Sequence, residues 1–152
     1  MKALLLALFT TTLAAHAAAA QRAAPGPEWA DVTPAGLPMR SMWMDTTAVE
    51  VVSPDRFRVR LLFLVGGPMP TPDGKRFDRS LSRVEYDCAG RTSELLEAQW
   101  MLGDSVVRTV PPDGRVEHWL PGATEMTLQK CRLARRVTAA RSGRADPPAV
   151  SP

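Results

Sequence analysis

The sequence is poor in the residues from which most catalytic and metal sites are built. Its 152 residues include two cysteines, two histidines and one tyrosine, but no asparagine and no isoleucine. His16 lies in the N-terminal apolar segment, which leaves His118 for the folded part. A structural zinc site needs four ligands, and a serine triad needs a histidine, an acid and a serine that no motif here supplies. The composition therefore predicts a protein that uses no cofactor and no metal and is not an enzyme.

The first 20 residues have the pattern of a secretory signal peptide. Lys2 precedes an apolar run over 3–15, and small residues suited to signal peptidase follow it. The run is shorter than the ~20 residues that a membrane-spanning helix needs, and no cysteine follows it as a lipid attachment point. We expect cleavage near residue 20, a linker over 21–27, and export to the bacterial periplasm or outer cell surface with no transmembrane segment in the mature chain.

Two cysteines remain after the predicted signal peptide, Cys88 and Cys131. In an oxidising compartment an even count favours a disulfide, with two buried thiols as the alternative. Closing a loop of this length stabilises the fold by about 4 kcal/mol in the chain-entropy model. We therefore expect a disulfide between them.

Alternation of apolar and polar residues dominates the segment 28–135, which we predict to be the folded domain. Between 56 and 65 and again between 84 and 88, every second residue is apolar. After Pro121 the alternation stops and helix-forming residues follow, with Cys131 on one helical face. The predicted fold is α+β, an antiparallel meander of about five to six strands whose one C-terminal helix is tied to the sheet by the disulfide.

The strand pattern also restricts how the strands pair. Only pairs whose residue numbers add up to an odd sum bring the apolar residues of the first two long strands to one side; one allowed register of this kind sets Val59 opposite Tyr86. That register places the arginines of 56–60 opposite acidic residues on the other side of the sheet. We therefore interpret this row of arginines as a solvated ladder of ion pairs. The expected pairs are Arg60 with Glu85 and Arg58 with Asp87. A three-residue turn at 89–91 then brings the next apolar set to the same face: Leu96, Ala98, Trp100 and Leu102.

The positive net charge lies in the C-terminal tail. Residues 132–152 contain five arginines and one aspartate, whereas 21–131 contain 13 basic and 15 acidic side chains. The segment 136–152 is predicted to be a disordered basic tail with several prolines, and no nucleic acid is expected as a partner of an exported protein.

Several local motifs resemble a known family. They are Trp29–Val32, Asp45–Val49, Tyr86-Asp87-Cys88, Trp119–Gly122 and the cysteine at 131. Over about 27–134 the chain resembles the surface-adhesin E-like domain of bacterial exported proteins. The resemblance implies an antiparallel sheet with a C-terminal helix, a disulfide between the two matched cysteines, and attachment to host matrix or plasma proteins at the cell surface.

These observations predict an exported, non-enzymatic, adhesin-like binding module. Turn residues fill the segment 66–79, which reads as a long loop, and its side chains Met69, Lys75, Arg76 and Phe77 are the candidate ligand contacts. The alternative is a periplasmic structural module without a host partner, which the missing lipidation cysteine favours and which could form a homodimer through edge strands. A third hypothesis, a small hydrolase, depends on the carboxylate pair Glu85 and Asp87.

Overall fold

The computed structural model describes residues 25–34 and 40–143; the predicted signal peptide, most of the linker and the end of the tail lie outside them. The described elements, in chain order, are β1 (Trp29–Asp31), β2 (Arg40–Asp45), β3 (Glu50–Ser53), β4 (Arg56–Pro70), β5 (Arg76–Asp87), β6 (Thr92–Leu102), β7 (Ser105–Val110), β8 (Val116–His118) and α1 (Pro121–Arg141). The predicted antiparallel sheet with a C-terminal helix is confirmed, but the eight strands exceed the predicted five to six. No helix among the described residues has the length and apolar character to cross a membrane.

The sheet is built around its three longest strands. Its order is β1-β2-β4-β5-β6-β7, and all pairings are antiparallel. β2 and β3 share one side of β4, and β7 and β8 share one side of β6. The extra strands are therefore short pieces along the borders of β4 and β6, and the meander predicted for the centre of the sheet is present.

The register between β4 and β5 has the expected odd sum and differs by two residues from the allowed register with Val59 opposite Tyr86. Val59 lies opposite Val84, and Tyr86 lies opposite Phe57. A shift of two residues leaves every side chain on its expected face, because side chains alternate with a period of two. The apolar pattern therefore predicted the buried face correctly and could not distinguish the two registers.

The turn between β5 and β6 also differs from the prediction. Arg83 lies opposite Glu97 as expected, but the pairing shifts at the next residue, so that Leu95 rather than Leu96 lies opposite Val84. The bulge accommodates a turn one residue longer than predicted. In that turn Arg91, not Gly90, takes the left-handed conformation, with φ of 53°.

The main core lies between one face of the sheet and α1. It contains side chains from β2, β4 and β5, from residues next to β1 and β3, from both cysteines and from the helix: Val32, Met44, Val49, Phe57, Val59, Leu61, Tyr86, Cys88, Cys131 and Ala134. The disulfide joins Cys88 to Cys131 across a Cα–Cα distance of 6.1 Å. The predicted covalent link between helix and sheet is confirmed.

The helix α1 packs against the core with small and polar side chains that are fully buried and with Leu133 and Val137, which are partly buried. Its buried residues are Thr127, Lys130, Cys131 and Ala134, so no large aliphatic side chain of the helix is fully buried. The helix also begins without a side-chain cap, because Leu120 occupies that position. It continues to Arg141, beyond the predicted domain boundary at 135, and Arg141 donates to the carbonyl of Val49 at 3.1 Å.

Lys130 weakens the docking of the helix. Its side chain is 2 % exposed, and Nζ donates one hydrogen bond, to the carbonyl of Met126 at 3.3 Å. No carboxylate pairs with it among the described residues. Burial lowers the pKa of Lys130 from 10.5 to about 8 because the charged form loses hydration. This difference corresponds to a cost of about 3 kcal/mol for burying the charged lysine.

The substitution Lys130→Met should raise the free energy of unfolding at pH 7, by up to about 3 kcal/mol. In the native protein the folded state loses the proton near pH 8 and the unfolded state near 10.5, so stability should rise with pH above about 8. The variant should lack that rise. Urea unfolding between pH 7 and 9.5 measures both effects, and burial raises the pKa of Tyr86, so the phenol ionises above this window.

Lys75→Met is the matched control, because the Lys75 side chain is exposed. It should keep the rise in stability with pH. Equal pH dependence in the native protein and in Lys130→Met would contradict the proposed cost of burying the Lys130 charge.

Candidate functional site

The segment predicted as a long loop is mostly strand. β4 continues to Pro70 and β5 begins at Arg76, so the connection is a tight turn at 71–75. Thr71 and Lys75 close this turn with a backbone hydrogen bond of 2.8 Å. The loop prediction failed because β2 pairs with β4 only as far as Val65. Among the described residues, β5 is the neighbour of this end of β4, and proline is tolerated in a strand where no partner needs its N–H.

The turn and the strand ends beside it form the hairpin tip, residues 69–77, which contacts neighbouring strands through side chains. Phe77 stacks on Trp100 with ring centroids 4.9 Å apart. The guanidinium of Arg108 lies over the same indole at 5.6 Å and pairs with Asp73 at 3.4 Å. Lys75 Nζ donates to the carbonyl of Val107 at 3.3 Å. The tip is therefore braced against β6 and β7.

Three of the four predicted ligand contacts lie at the surface of the hairpin tip. Met69 is 37 % exposed, and Lys75 and Arg76 are also exposed. Arg76 donates to the carbonyl of Pro68 at 2.9 Å, which orients its side chain. Phe77 is 9 % exposed because of the stack with Trp100. The geometry thus gives Phe77 a bracing role and leaves Met69, Lys75 and Arg76 accessible.

The face of the sheet that is turned away from α1 carries the predicted arginine ladder. We call it the arginine face, after its residues Arg56, Arg58, Arg60 and Arg83. Glu85 accepts from Arg56 and Arg58, the latter at 2.8 Å. Arg60 pairs with Asp45 at 2.8 Å, and Arg83 pairs with Glu50 at 3.1 Å. Pairing of the arginines with acids is confirmed, although the shifted register changes the partners.

Sequence reasoning did not identify Asp45 and Glu50 as partners of these arginines, because it considered only the pairing of β4 with β5. The pattern Asp45-Thr46-Thr47 was a usable signal, since Asp favours turns in which its carboxylate accepts from the following backbone. Burial would raise the pKa of Asp45, but hydrogen bonds from the hydroxyl and amide of Thr47, together with Arg60, hold it below its usual value. Asp45 therefore anchors both the turn and Arg60.

The carboxylate pair that supported a hydrolase has other partners. Both carboxylate oxygens of Glu85 accept from guanidinium groups, and Asp87 accepts from the amide of Gly90 at 2.8 Å. The two side chains therefore stabilise the sheet face and the β5–β6 turn. Among the described residues, no group of three or more His, Cys, Asp or Glu side chains could hold a metal ion.

Comparison with known proteins supplies no relative. The chain matches no protein-family model, no curated protein and no solved structure.

The substitution Glu85→Gln should lower the free energy of unfolding by about 1–3 kcal/mol, because it leaves two guanidinium groups without their charged acceptor. Glu94→Gln is the matched control. Glu94 lies directly opposite Glu85, and removing a like charge at that position should be neutral or stabilising by a few tenths of a kcal/mol. Urea titrations compare the two variants, and equal destabilisation would show that Arg56 and Arg58 do not depend on Glu85.

Proposed function

We propose that the chain is an exported, non-enzymatic module that binds a protein ligand at the bacterial envelope through the hairpin tip. The observation that supports this most is the bracing of the tip. Asp73, Lys75 and Phe77 each contact β6 or β7, while Met69 and Arg76 stay exposed. A surface fixed in this way loses little conformational freedom on binding, which lowers the entropic cost of association.

The chemistry of the tip indicates the kind of ligand surface it fits. Met69 offers a flexible apolar contact, and Lys75 and Arg76 add two cations against the one acid, Asp73. Val106, 50 % exposed, precedes the residue whose carbonyl accepts from Lys75. A ligand surface with acidic side chains around an apolar patch complements this arrangement, and binding should weaken as salt is added.

The resemblance to surface-adhesin E-like domains supports the same proposal and suggests host matrix or plasma proteins as the ligand class. The signal-peptide pattern of the first 20 residues supports export. A disulfide between Cys88 and Cys131 is consistent with an oxidising compartment.

The alternative of a structural module that assembles through its edge strands has less support. β1 and β8 have three residues each, and the pairings of β3 and β7 are interrupted by register shifts. The carbonyl of Val107 in β7 is already engaged by Lys75. Short and bulged edges of this kind hinder pairing with another chain, which also disfavours a homodimer through these edges.

The binding proposal is tested with the double variant Met69→Ala/Arg76→Ala. Immobilised plasma and extracellular-matrix proteins are probed with the purified mature chain at low and high salt. We expect the variant to lose at least tenfold in affinity for whichever protein the native chain captures, because it lacks both the apolar and the cationic contact.

The matched control is Val116→Ala/Arg115→Ala, which removes one exposed apolar and one exposed cationic side chain on and beside β8. It should bind like the native chain. Equal capture by both double variants would rule out the hairpin tip as the binding surface.

The proposed location is tested separately by protease treatment of intact cells, with a periplasmic protein as the control. Loss of this chain alone places the module on the outer surface, where a host ligand can reach it. Survival together with the control confines the module to the periplasm and contradicts the adhesin-like function.

A further inference from the structure

A cleft of about 390 Å³ opens on the arginine face, away from the hairpin tip. Its walls come from β3, β4, β5 and β6 and include Arg60, Leu81, Arg83, Glu97 and Gln99. A volume of this size falls within the range of small-ligand pockets. The proposed protein-binding function makes no use of it.

The cleft contains two guanidinium groups from directly opposed residues. Arg60 and Arg83 are register partners on β4 and β5, and like charges in such positions destabilise a sheet. Each arginine engages its own acid through Nη2 alone, Arg60 with Asp45 and Arg83 with Glu50. A guanidinium group has five N–H donors, so both retain donors that a carboxylate bridging them can use.

The side of the cleft formed by β6 carries an acidic and an amide side chain. Glu97 is the register partner of Arg83, and Gln99 is the register partner of Leu81. Glu97 has no ion-pair partner among the described residues, because Arg83 is paired with Glu50 instead. The row from Arg60 through Arg83 to Glu97 therefore presents two cationic groups followed by an available carboxylate, with an amide and an apolar side chain in the next row.

We propose that this cleft binds the zwitterion of a short free peptide, of about dipeptide size. The peptide carboxylate bridges Arg60 and Arg83, its ammonium group contacts Glu97, and its amide bonds to the side chain of Gln99. The row crosses two strand spacings, about 10 Å between the outer Cα atoms. That span suits an extended dipeptide with charges at both ends better than one α-amino acid, whose charged groups are attached to the same carbon.

The test is a titration of the mature chain with alanyl-alanine, followed by NMR of the backbone amides of β4–β6 and of the arginine Nε–H groups. Saturable shifts should appear at Arg60, Arg83 and Glu97. N-acetylation or C-terminal amidation of the peptide should each weaken binding at least fivefold. Absence of saturable shifts at concentrations up to about 10 mM would overturn the proposal.

Two variants test which residue binds each charged end of the peptide. Glu97→Gln should lower the affinity for the free dipeptide at least fivefold and leave the affinity for its N-acetyl form unchanged. Arg83→Gln should also lower the affinity for the free dipeptide at least fivefold, but it should leave the affinity for the C-amide form unchanged. Glu97 has no ion-pair partner to lose among the described residues, so its variant should fold normally. Glu117→Gln, on the border strand β8, should bind like the native chain.

Binding that is equal in Glu97→Gln and Glu117→Gln would overturn the proposed orientation of the ligand. This result is independent of the hairpin tip, since none of the cleft residues belongs to 69–77. The peptide site and the proposed protein-binding function can therefore fail separately.

Discussion

The disulfide between Cys88 and Cys131 is the interaction on which the rest of this fold depends. The helix buries Lys130 and Thr127 beside Cys131 and Ala134, and its larger apolar side chains Leu133 and Val137 are only partly buried against the core. Burying the charged Lys130 costs about 3 kcal/mol, whereas a crosslink over this loop contributes about 4 kcal/mol in the chain-entropy model. The two terms are similar in size, so we expect the crosslink to offset the cost of docking the helix with Lys130 buried.

Docking of the helix determines which surfaces remain for function. A cleft beside Val84 and Leu95 stays open on the face that α1 packs against, and the arginine face and the hairpin tip lie outside that contact. Their charges are arranged differently. On the arginine face the guanidinium groups are neutralised by Asp45, Glu50 and Glu85, so recognition there depends on an available acid such as Glu97. At the tip, cations outnumber acids, which suits a larger and acidic protein surface.

Much of this architecture could be predicted from alternation and cysteine placement, and the failures have physical causes. The faces of Val59 and Tyr86 follow from a period of two, but their exact partners do not, because a two-residue shift preserves every face. Prolines 68 and 70 looked like loop residues, because whether a strand tolerates proline depends on which neighbours need its N–H, and that is a tertiary property. The burial of Lys130 could not be predicted, because lysine is almost never fully buried without a charged partner. The bracing of the tip by Trp100 and Arg108 connects residues far apart in the chain.

Hydrogen exchange of the helix amides tests most directly whether the disulfide holds the helix in place. The double variant Cys88→Ala/Cys131→Ala is compared with the native chain, and the amides of β4, β5 and β6 serve as the internal reference. We predict that the amides of 125–141 lose at least tenfold in protection while those of the central strands change much less. Helix protection that stays equal to the native value would show that packing alone docks the helix, and would contradict the central role of the crosslink.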